Sequence, residues 1–199
     1  MAKDEVFPNY QKKLKKELDA DRYEHTIGVA YTAAALAMRY GCNIQQAQVA
    51  GLLHDCAKCM PHEEKIELCN KHHIIISQVE LDNPSLLHAK AGMALAEEKY
   101  DVTNPEILHA IKVHTTGEPD MNLLDKIIYI ADYIEPNRTE APHLEEIRRI
   151  AFSNLDECIA EILSDTLHYL KSKVGTIDPT TQLTYEFYKK NEKEQPWKH

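Results

Sequence analysis

Gly51-Leu-Leu-His-Asp-Cys-Ala-Lys58 places an imidazole beside a carboxylate at the end of an apolar run. A buried carboxylate without a partner is costly, so this pair should face a cation, a hydrogen-bond donor or a cavity. Imidazole and carboxylate are also the groups that a borderline divalent metal ion binds together. The doublet His54-Asp55 therefore predicts a metal site at the edge of a core.

The segments on either side of the doublet have helical periodicity. Apolar residues recur at helical spacing from about 21 to 40, Gly41 should end that helix, and Asn43 can cap the helix that leads to His54. One stretch, His73-Ile-Ile-Ile-Ser77, has strand character but is too short to build a sheet. Further helices are predicted from Pro8 and at about 61–71, 84–100, 105–116, 123–134, 143–152, 154–174 and 180–190, the last one separated by Gly175. We therefore predict an all-α fold in a single domain, 1–199, with a core at about 10–188 and a polar tail.

Composition is typical of an acidic enzyme. The chain of 199 residues has 32 acidic and 23 basic side chains, the opposite of the balance in a general nucleic-acid binder. It has no apolar run of about 18 residues and no apolar N-terminal leader, which predicts no membrane association and a cytoplasmic location. Its five cysteines, an odd number, argue against a disulfide framework. Cys56-Ala-Lys-Cys59 lacks the context of a redox or zinc motif, so we expect reduced, buried thiols on a helix.

Four further residues could complete the metal site, namely His25, His88, His114 and Asp132. Asp132 lies in an apolar helical segment, where its carboxylate again needs a cation, a donor or a cavity. Such a nitrogen-rich set suits iron, zinc or manganese better than magnesium or calcium. A single histidine on a helix is more often an ordinary core or surface residue, so we exclude His62, His72, His73, His109, His143, His168 and His199.

The sequence motifs around these positions are distinctive. They are Arg22-Tyr-Glu-His-Thr-Ile-Gly-Val29, Leu53-His-Asp-Cys-Ala-Lys58, His88, His114-Thr-Thr-Gly117 and Ile130-Ala-Asp-Tyr-Ile-Glu-Pro-Asn-Arg138. In this order the chain resembles the YqeK family of HD-domain hydrolases, which cleave diadenosine tetraphosphate symmetrically. The resemblance extends from about Tyr10 to Tyr188. The spacing of histidines and aspartates alone would indicate only the HD superfamily.

The resemblance implies an HD-domain helical bundle with a dinuclear metal site in its core. The first metal, expected to be iron, would be held by His25, His54, Asp55 and Asp132, and Asp55 would bridge to a second metal on His88 and His114. Manganese or another divalent metal is left open. The catalytic residues would be His54, Asp55 and Lys58. The substrate would contact Arg22, His25, Lys58, His88, His114, Thr115, Asp132, Arg138 and Thr181, the last in a segment Thr180-Thr-Gln-Leu183 that could hold the base or ribose.

The predicted reaction is the hydrolysis of diadenosine tetraphosphate by water to two ADP. Direct attack by water is preferred because no side chain is a candidate nucleophile in a triad arrangement. Lys58 would share a helix face with Asp55, and Arg138 offers a planar fork for phosphate oxygens. A dinucleoside polyphosphate is thus the expected partner, with no nucleic acid or membrane, and a homodimer is left open. Two alternatives are an HD-type nucleotidase acting on nucleoside mono- or triphosphates and a non-catalytic nucleotide-binding regulator.

Overall fold

The computed structural model describes residues 6–173 and 177–194, so Gly175 and His199 lie outside it. Across these ranges the chain is helical and has no β-strand, which confirms the predicted all-α fold. The helices are α1 Val6–Leu14, α2 Ala20–Tyr40, α3 Ile44–Leu53, α4 His62–Lys71, α5 Gln78–Asp82, α6 His88–Tyr100, α7 Pro105–Val113, α8 Leu123–Ile134, α9 Leu144–Ala151, α10 Leu155–Lys171 and α11 Pro179–Glu194, with a 3₁₀ turn at Pro84–Leu87.

Local capping sets the ends of the two helices that precede the doublet. The Asp19 side chain accepts a hydrogen bond from the Arg22 N–H at 2.8 Å and begins α2. Gly41 ends α2 with a φ of 74°, a left-handed conformation that glycine adopts without steric cost. Asn43 then accepts from the Gln46 N–H at 3.1 Å and begins α3. The predicted helix end at Gly41 and cap at Asn43 are confirmed.

The chain leaves the α-helix at the doublet itself. We expected Asp55 and Lys58 to share a helix face, but α3 ends at Leu53 and residues 54–59 form successive tight turns. The Lys58 N–H bonds to the Asp55 carbonyl at 2.9 Å, an i→i−3 bond. Residues three apart eclipse one another in such turns. Lys58 therefore still lies beside Asp55, although the helical explanation was wrong.

These turns also change the setting of the C-x-x-C pair. Cys56 is buried and Cys59 is exposed, and both lie in turns, so the expectation of buried thiols on a helix was wrong for this pair. All five cysteines are free, as the odd count indicated.

The stretch with strand character is not a strand. Residues 74–77 are irregular, and Ile74 and Ile76 pack against a small buried cluster under α4 and α6. Ile74 and Ile76 thus serve this packing and not sheet pairing, whereas Ile75 is exposed. Ser77 and Glu80 then form a capping box that begins α5, a helix that the periodicity did not predict.

Helix α8 lies at the centre of the molecule and packs against α2, α3, α7 and α10, while α11 covers α10. Its apolar residues are almost all buried, including Ile127, Ile128 and Ile130. Asp132 is therefore carried by the core helix towards α2 and α3. No helix in 6–173 or 177–194 combines the length and apolar character needed to cross a bilayer.

Gly117 ends the turn after α7 in the left-handed region, with a φ of 63°. A Cβ at this position would lie 2.9 Å from the Thr184 methyl carbon on α11. The close approach lets α11 pack on the turn that holds His114 and Thr115. This packing supports the end of the predicted site that contains His114 and Thr115.

Candidate metal centre

Four histidine rings form a buried row where α2, α3, α6 and α7 meet. The centroids of His25 and His54 are 5.3 Å apart, those of His54 and His114 are 5.0 Å apart, and those of His114 and His88 are 5.0 Å apart. Their side chains are at most 12% exposed. The structure therefore brings together all four histidines that were chosen from the sequence.

Three of these rings are held in the same way. Nδ1 contacts the carbonyl oxygen three residues earlier, in His54 with Gly51 at 2.7 Å, in His114 with Ile111 at 2.7 Å, and in His88 with Ser85. The carbonyls of Gly51 and Ile111 lie in the last turns of α3 and α7, where no helical N–H bonds to them, whereas Ser85 lies in the 3₁₀ turn that leads into α6. A carbonyl oxygen only accepts, so Nδ1 carries the proton and Nε2 keeps its lone pair. Metal-binding histidines are commonly oriented by such a bond.

The free nitrogens converge at the His88 end of the row. The Nε2 atoms of His88 and His114 are 3.1 Å apart, and Lys58 Nζ lies 3.1 Å from the Nε2 of His88. An ammonium only donates, which again assigns the lone pair of His88 to Nε2. Two lone pairs at this distance repel unless a cation or a hydrogen-bond donor lies close to both, and the Thr115 hydroxyl, 3.1 and 3.2 Å from the two nitrogens, is such a donor. The same two lone pairs are also placed to bind one cation.

Asp55 contacts histidines from both halves of the row. Its Oδ1 is 3.1 Å from the Nε2 of His88 and 3.5 Å from the Nε2 of His114. Its Oδ2 is 3.6 Å from the Nε2 of His54 and 2.7 Å from Arg22 Nη1. One carboxylate is thus placed to serve two neighbouring ligand groups.

The other end of the row is closed by two carboxylates of the α8 region. Asp132 Oδ1 lies 3.1 Å from the Nε2 of His25 and 3.8 Å from the Nε2 of His54. Glu135 Oε1 lies 3.1 Å from Nδ1 of His25. Glu135 stands within a motif that the sequence analysis singled out, but that analysis gave it no role. Its distance of 110 residues from His25 along the chain hides the contact.

Buried polar atoms without a hydrogen-bond partner test whether a metal fits. The Nε2 atoms of His25 and His54 and the Oδ1 of Asp55 have none among the described residues. They belong to two groups whose possible ligand atoms lie within 4.8 Å of one another, one made of His25, His54 and Asp55, the other of Asp55, His88 and His114. Asp132 joins His54 and His114 in a third such group. The donor set fits borderline divalent metals.

The protonation states of His54 and His88 suit metal ligands. Burial lowers the pKa of His54 to about 4 and also lowers the pKa of His88, so both rings are neutral near pH 7. Burial opposes the ionisation of Asp55, but its contacts with His54, His114 and His88 hold its pKa well below the usual range. The balance at His25 is different, because contacts with Asp132 and Glu135 outweigh burial and raise its pKa.

The predicted phosphate-binding residues lie at the rim of the row. Arg138 donates from Nη2 to Asp132 Oδ1 at 3.1 Å, as Arg22 does to Asp55. Thr115 Oγ1 lies 3.1 Å from the Nε2 of His88. These side chains, with Lys58, place polar groups around the predicted ligands.

Two cavities open at the two ends of the row. One, of about 260 Å³, is lined by Thr115 and by residues of α7 and the start of α11. The other, of about 580 Å³, is lined by Arg22, His25 and Arg138. The segment predicted to hold the base or ribose contributes Thr180 to the smaller cavity, whereas Thr181 is buried, only 4% exposed, and is not among its lining residues.

A separate cluster lies outside the row. His109, which we excluded, contacts Asp125 Oδ2 at 3.0 Å and Glu118 Oε1 at 3.0 Å. Each of its ring nitrogens thus faces a carboxylate oxygen, and the three residues form a further group whose possible ligand atoms lie within 4.8 Å of one another. The structure gives the cluster no contact with the four rings of the row.

Comparison with known proteins gives three findings. Residues 22–137 match the family model described as HD domain. The symmetrical bis(5'-nucleosyl)-tetraphosphatase of Bacillus subtilis (strain 168) is 38% identical over 87% of this chain and 92% of its own length, and the protein of that name from Halalkalibacterium halodurans is 40% identical over 86% and 91%. A crystal structure from Clostridium acetobutylicum, described as a predicted HD superfamily hydrolase involved in NAD metabolism, superposes with a TM-score of 0.89 at 35% identity, covering 93% of this chain and 97% of that one.

Proposed function

The chain belongs to the HD-domain family and, within it, to the symmetrical bis(5'-nucleosyl)-tetraphosphatases, and on this premise we propose that it hydrolyses diadenosine tetraphosphate to two ADP. Water adds to one of the two central phosphorus atoms. The bond from that phosphorus to the central bridging oxygen breaks, and both products are ADP.

The observation that carries this proposal is the placement of the two cavities. In a dinucleoside polyphosphate two arms extend from the reacting phosphorus, and each arm ends in a nucleoside. One cavity begins at His25 and the other at Thr115, which contacts His88 at the opposite end of the row. Such an arrangement can hold a nucleoside on each side of the ligand row. A nucleotidase that acts on one nucleotide needs only one such cavity.

The proposed metal ligands are those of the row. His25, His54, Asp55 and Asp132 would hold one ion, and Asp55, His88 and His114 a second. Two divalent ions supply Lewis acidity and lower the pKa of water near the phosphorus. We propose iron in particular, because the family resemblance implies it and neutral imidazoles suit a borderline metal.

The positively charged side chains of the protein have a different role from the metal ions. Lys58, Arg22 and Arg138 carry positive charge at the rim of the site within an otherwise acidic chain. The Lys58 ammonium lies at the His88 end of the row, and the two arginines reach the ligand carboxylates from the side of the larger cavity. They would bind the phosphate oxygens and stabilise charge that builds on the leaving ADP. A cytoplasmic location remains a prediction from the sequence, and a homodimer is left open.

Product analysis tests the proposal. The purified protein is incubated with diadenosine tetraphosphate in ¹⁸O-labelled water. The nucleotides are then separated, and their masses are measured by mass spectrometry. ADP alone is expected, with one labelled oxygen for each pair of ADP molecules. ATP and AMP in equal amounts would mean attack on a different phosphorus and would refute symmetrical cleavage.

Two parallel incubations address the alternatives. Turnover of nucleoside mono- or triphosphates in preference to the dinucleotide would favour the nucleotidase. Binding of the dinucleotide without turnover by metal-loaded protein would favour the regulator. Asp55→Ala serves as the inactive control, and His72→Ala, whose ring faces Glu97 and Glu98 on the surface, serves as the active one.

A further inference from the structure

His25 is held differently from the other three rings of the row. It lies in the second turn of α2, where the backbone carbonyls bond to the helix's own N–H groups. The carbonyl three residues earlier is therefore already used, unlike the carbonyls at the ends of α3 and α7 that hold His54 and His114. Its Nδ1 instead faces Glu135 Oε1 at 3.1 Å. The orientation of this ring thus depends on a side chain rather than on the local backbone.

Glu135 is itself closely fixed. Its side chain is 2% exposed, and its Oε2 accepts a hydrogen bond from the Asn137 N–H at 2.7 Å. Its backbone N–H bonds to the Ala131 carbonyl, and its own carbonyl accepts from Arg148 at 2.8 Å. Both carboxylate oxygens therefore have a donor, and the backbone on each side is held. No Lys or Arg in the described ranges forms an ion pair with this carboxylate, so its hydrogen bonds must offset its burial.

Gly28 makes room for the carboxylate. It follows His25 by three residues on α2, and a Cβ at this position would lie 2.3 Å from Glu135 Oε2. Any side chain there would push the carboxylate away from its two donors. Glycine in a helix interior costs about 1 kcal/mol relative to alanine, and this contact explains why a glycine stands there.

We propose that Glu135 is a positioning residue that holds the ring of His25 with Nε2 directed at the metal, and that Gly28 provides the space for it. The proposal rests on the metal site proposed above and is independent of the identity of the substrate. A carboxylate that accepts the Nδ1–H of a ligand histidine orients the ring and strengthens the Nε2 donor. Loss of such a partner commonly weakens metal binding by about 10–100-fold.

Two substitutions test the contact from opposite sides. In Glu135→Gln the amide has one oxygen for two N–H donors, so either His25 or Asn137 loses its acceptor. In Gly28→Ala the new methyl group displaces the carboxylate while every polar group remains. Each variant, stripped of metal, is titrated with Mn²⁺ and followed by calorimetry and by the electron paramagnetic resonance of the free ion. We expect one class of Mn²⁺ site to weaken by about 10–100-fold and the class at His88 and His114 to change little.

The double variant and a glycine control separate positioning from general damage. Because both substitutions break the same bond, Gly28→Ala with Glu135→Gln should weaken binding no more than Glu135→Gln alone. Gly92→Ala, also in a helix, adds a Cβ at 3.4 Å from its nearest neighbours and should bind Mn²⁺ like the parent. Thermal unfolding of the metal-free proteins reports whether the fold is intact.

His25→Ala provides the reference for every outcome. The proposal is overturned if His25→Ala weakens Mn²⁺ binding while Glu135→Gln and Gly28→Ala do not. It is also overturned if the effects of the two substitutions add, or if both Mn²⁺ classes are lost together with thermal stability. If His25→Ala itself binds Mn²⁺ like the parent, the metal-site assignment fails as well, whatever the substrate assay shows.

Discussion

Removal of the Lys58 ammonium should slow the reaction and leave the metal in place. Lys58 Nζ lies 3.6 Å from Asp55 Oδ1 and 3.1 Å from the Nε2 of His88, so it reaches the shared carboxylate and the His88 end of the row. A protonated amine cannot ligate a metal, and Lys58→Ala should therefore retain its metal. The variant loses a donor to the phosphoryl oxygens on which charge builds during cleavage.

The size of the effect depends on charge and exposure. A unit charge about 4 Å from a phosphoryl oxygen contributes about 4 kcal/mol at an effective dielectric constant of about 20. Loss of one such donor in enzymes commonly costs about 2.7–4 kcal/mol, or about 10²–10³ in turnover. The Lys58 side chain is 34% exposed, and solvent screens its charge. We therefore expect a fall in turnover near the lower limit, about 10²-fold.

The assay compares turnover, Michaelis constant and metal per chain in Lys58→Ala and in Lys71→Ala. Lys71 is the matched control, since its ammonium pairs on the surface with Glu98 and its side chain is 63% exposed. Parental turnover in metal-loaded Lys58→Ala would show that this lysine is only a solvated charge. Loss of metal from the same variant would also refute the reasoning, because Lys58 would then support the ligands and not the substrate.

Further variants and conditions test the remaining parts of the site. Arg138→Ala should retain metal and raise the Michaelis constant more than it lowers turnover, because its guanidinium lines the larger cavity; equal kinetics to the parent would contradict a phosphate contact. Asp55→Ala should lose both metals and activity together, since both ligand groups contain this carboxylate, as elemental analysis of the purified variant would reveal. Chelation should abolish turnover and ferrous iron added without oxygen should restore it best; better recovery with manganese would contradict only the choice of iron. For metal-free protein, the lowered pKa of His54, about 4 against 6.5 for the free side chain, means that the unfolded chain takes up this proton first as pH falls. Stability should therefore decrease from about pH 6.5 to about pH 4 by up to about 3 kcal/mol, a loss that urea unfolding of His54→Gln should not show.

Local signals explain how far the fold could be predicted from the sequence. Gly41 and Asn43 act within a few residues of their own position, so their effect on α2 and α3 could be deduced without the tertiary structure. The irregular segment at 74–77 could not be predicted, because Ile74 and Ile76 pack against a cluster under α4 and α6, which the local pattern does not include. The helix end at Leu53 was missed for a similar reason, since the apolar spacing continues past it.

The candidate site, like the fold, could be predicted from the sequence only in part. Residue type and an apolar setting were enough to select His54, Asp55 and Asp132, because an unpartnered carboxylate in such a setting is costly. Which ring nitrogen faces inward depends on partners that only the folded chain supplies. Glu135 shows the limit most clearly, because its contact with His25 joins α2 to the end of α8. The roles proposed for Thr115, Thr181 and Arg138 remain predictions from the family resemblance.

The bonds from two rings to helix-end carbonyls make backbone length a constraint on the chemistry. His54 and His114 are oriented by the residue at which α3 or α7 ends, and one inserted residue rotates the downstream residues about the helix axis by about 100°. An insertion in the last turn of α3 or α7 would therefore turn a ring away from its neighbours even if every ligand were retained. Relatives with this chemistry should vary in the lengths of their surface connections but not in the count of residues between each of these helix ends and its histidine.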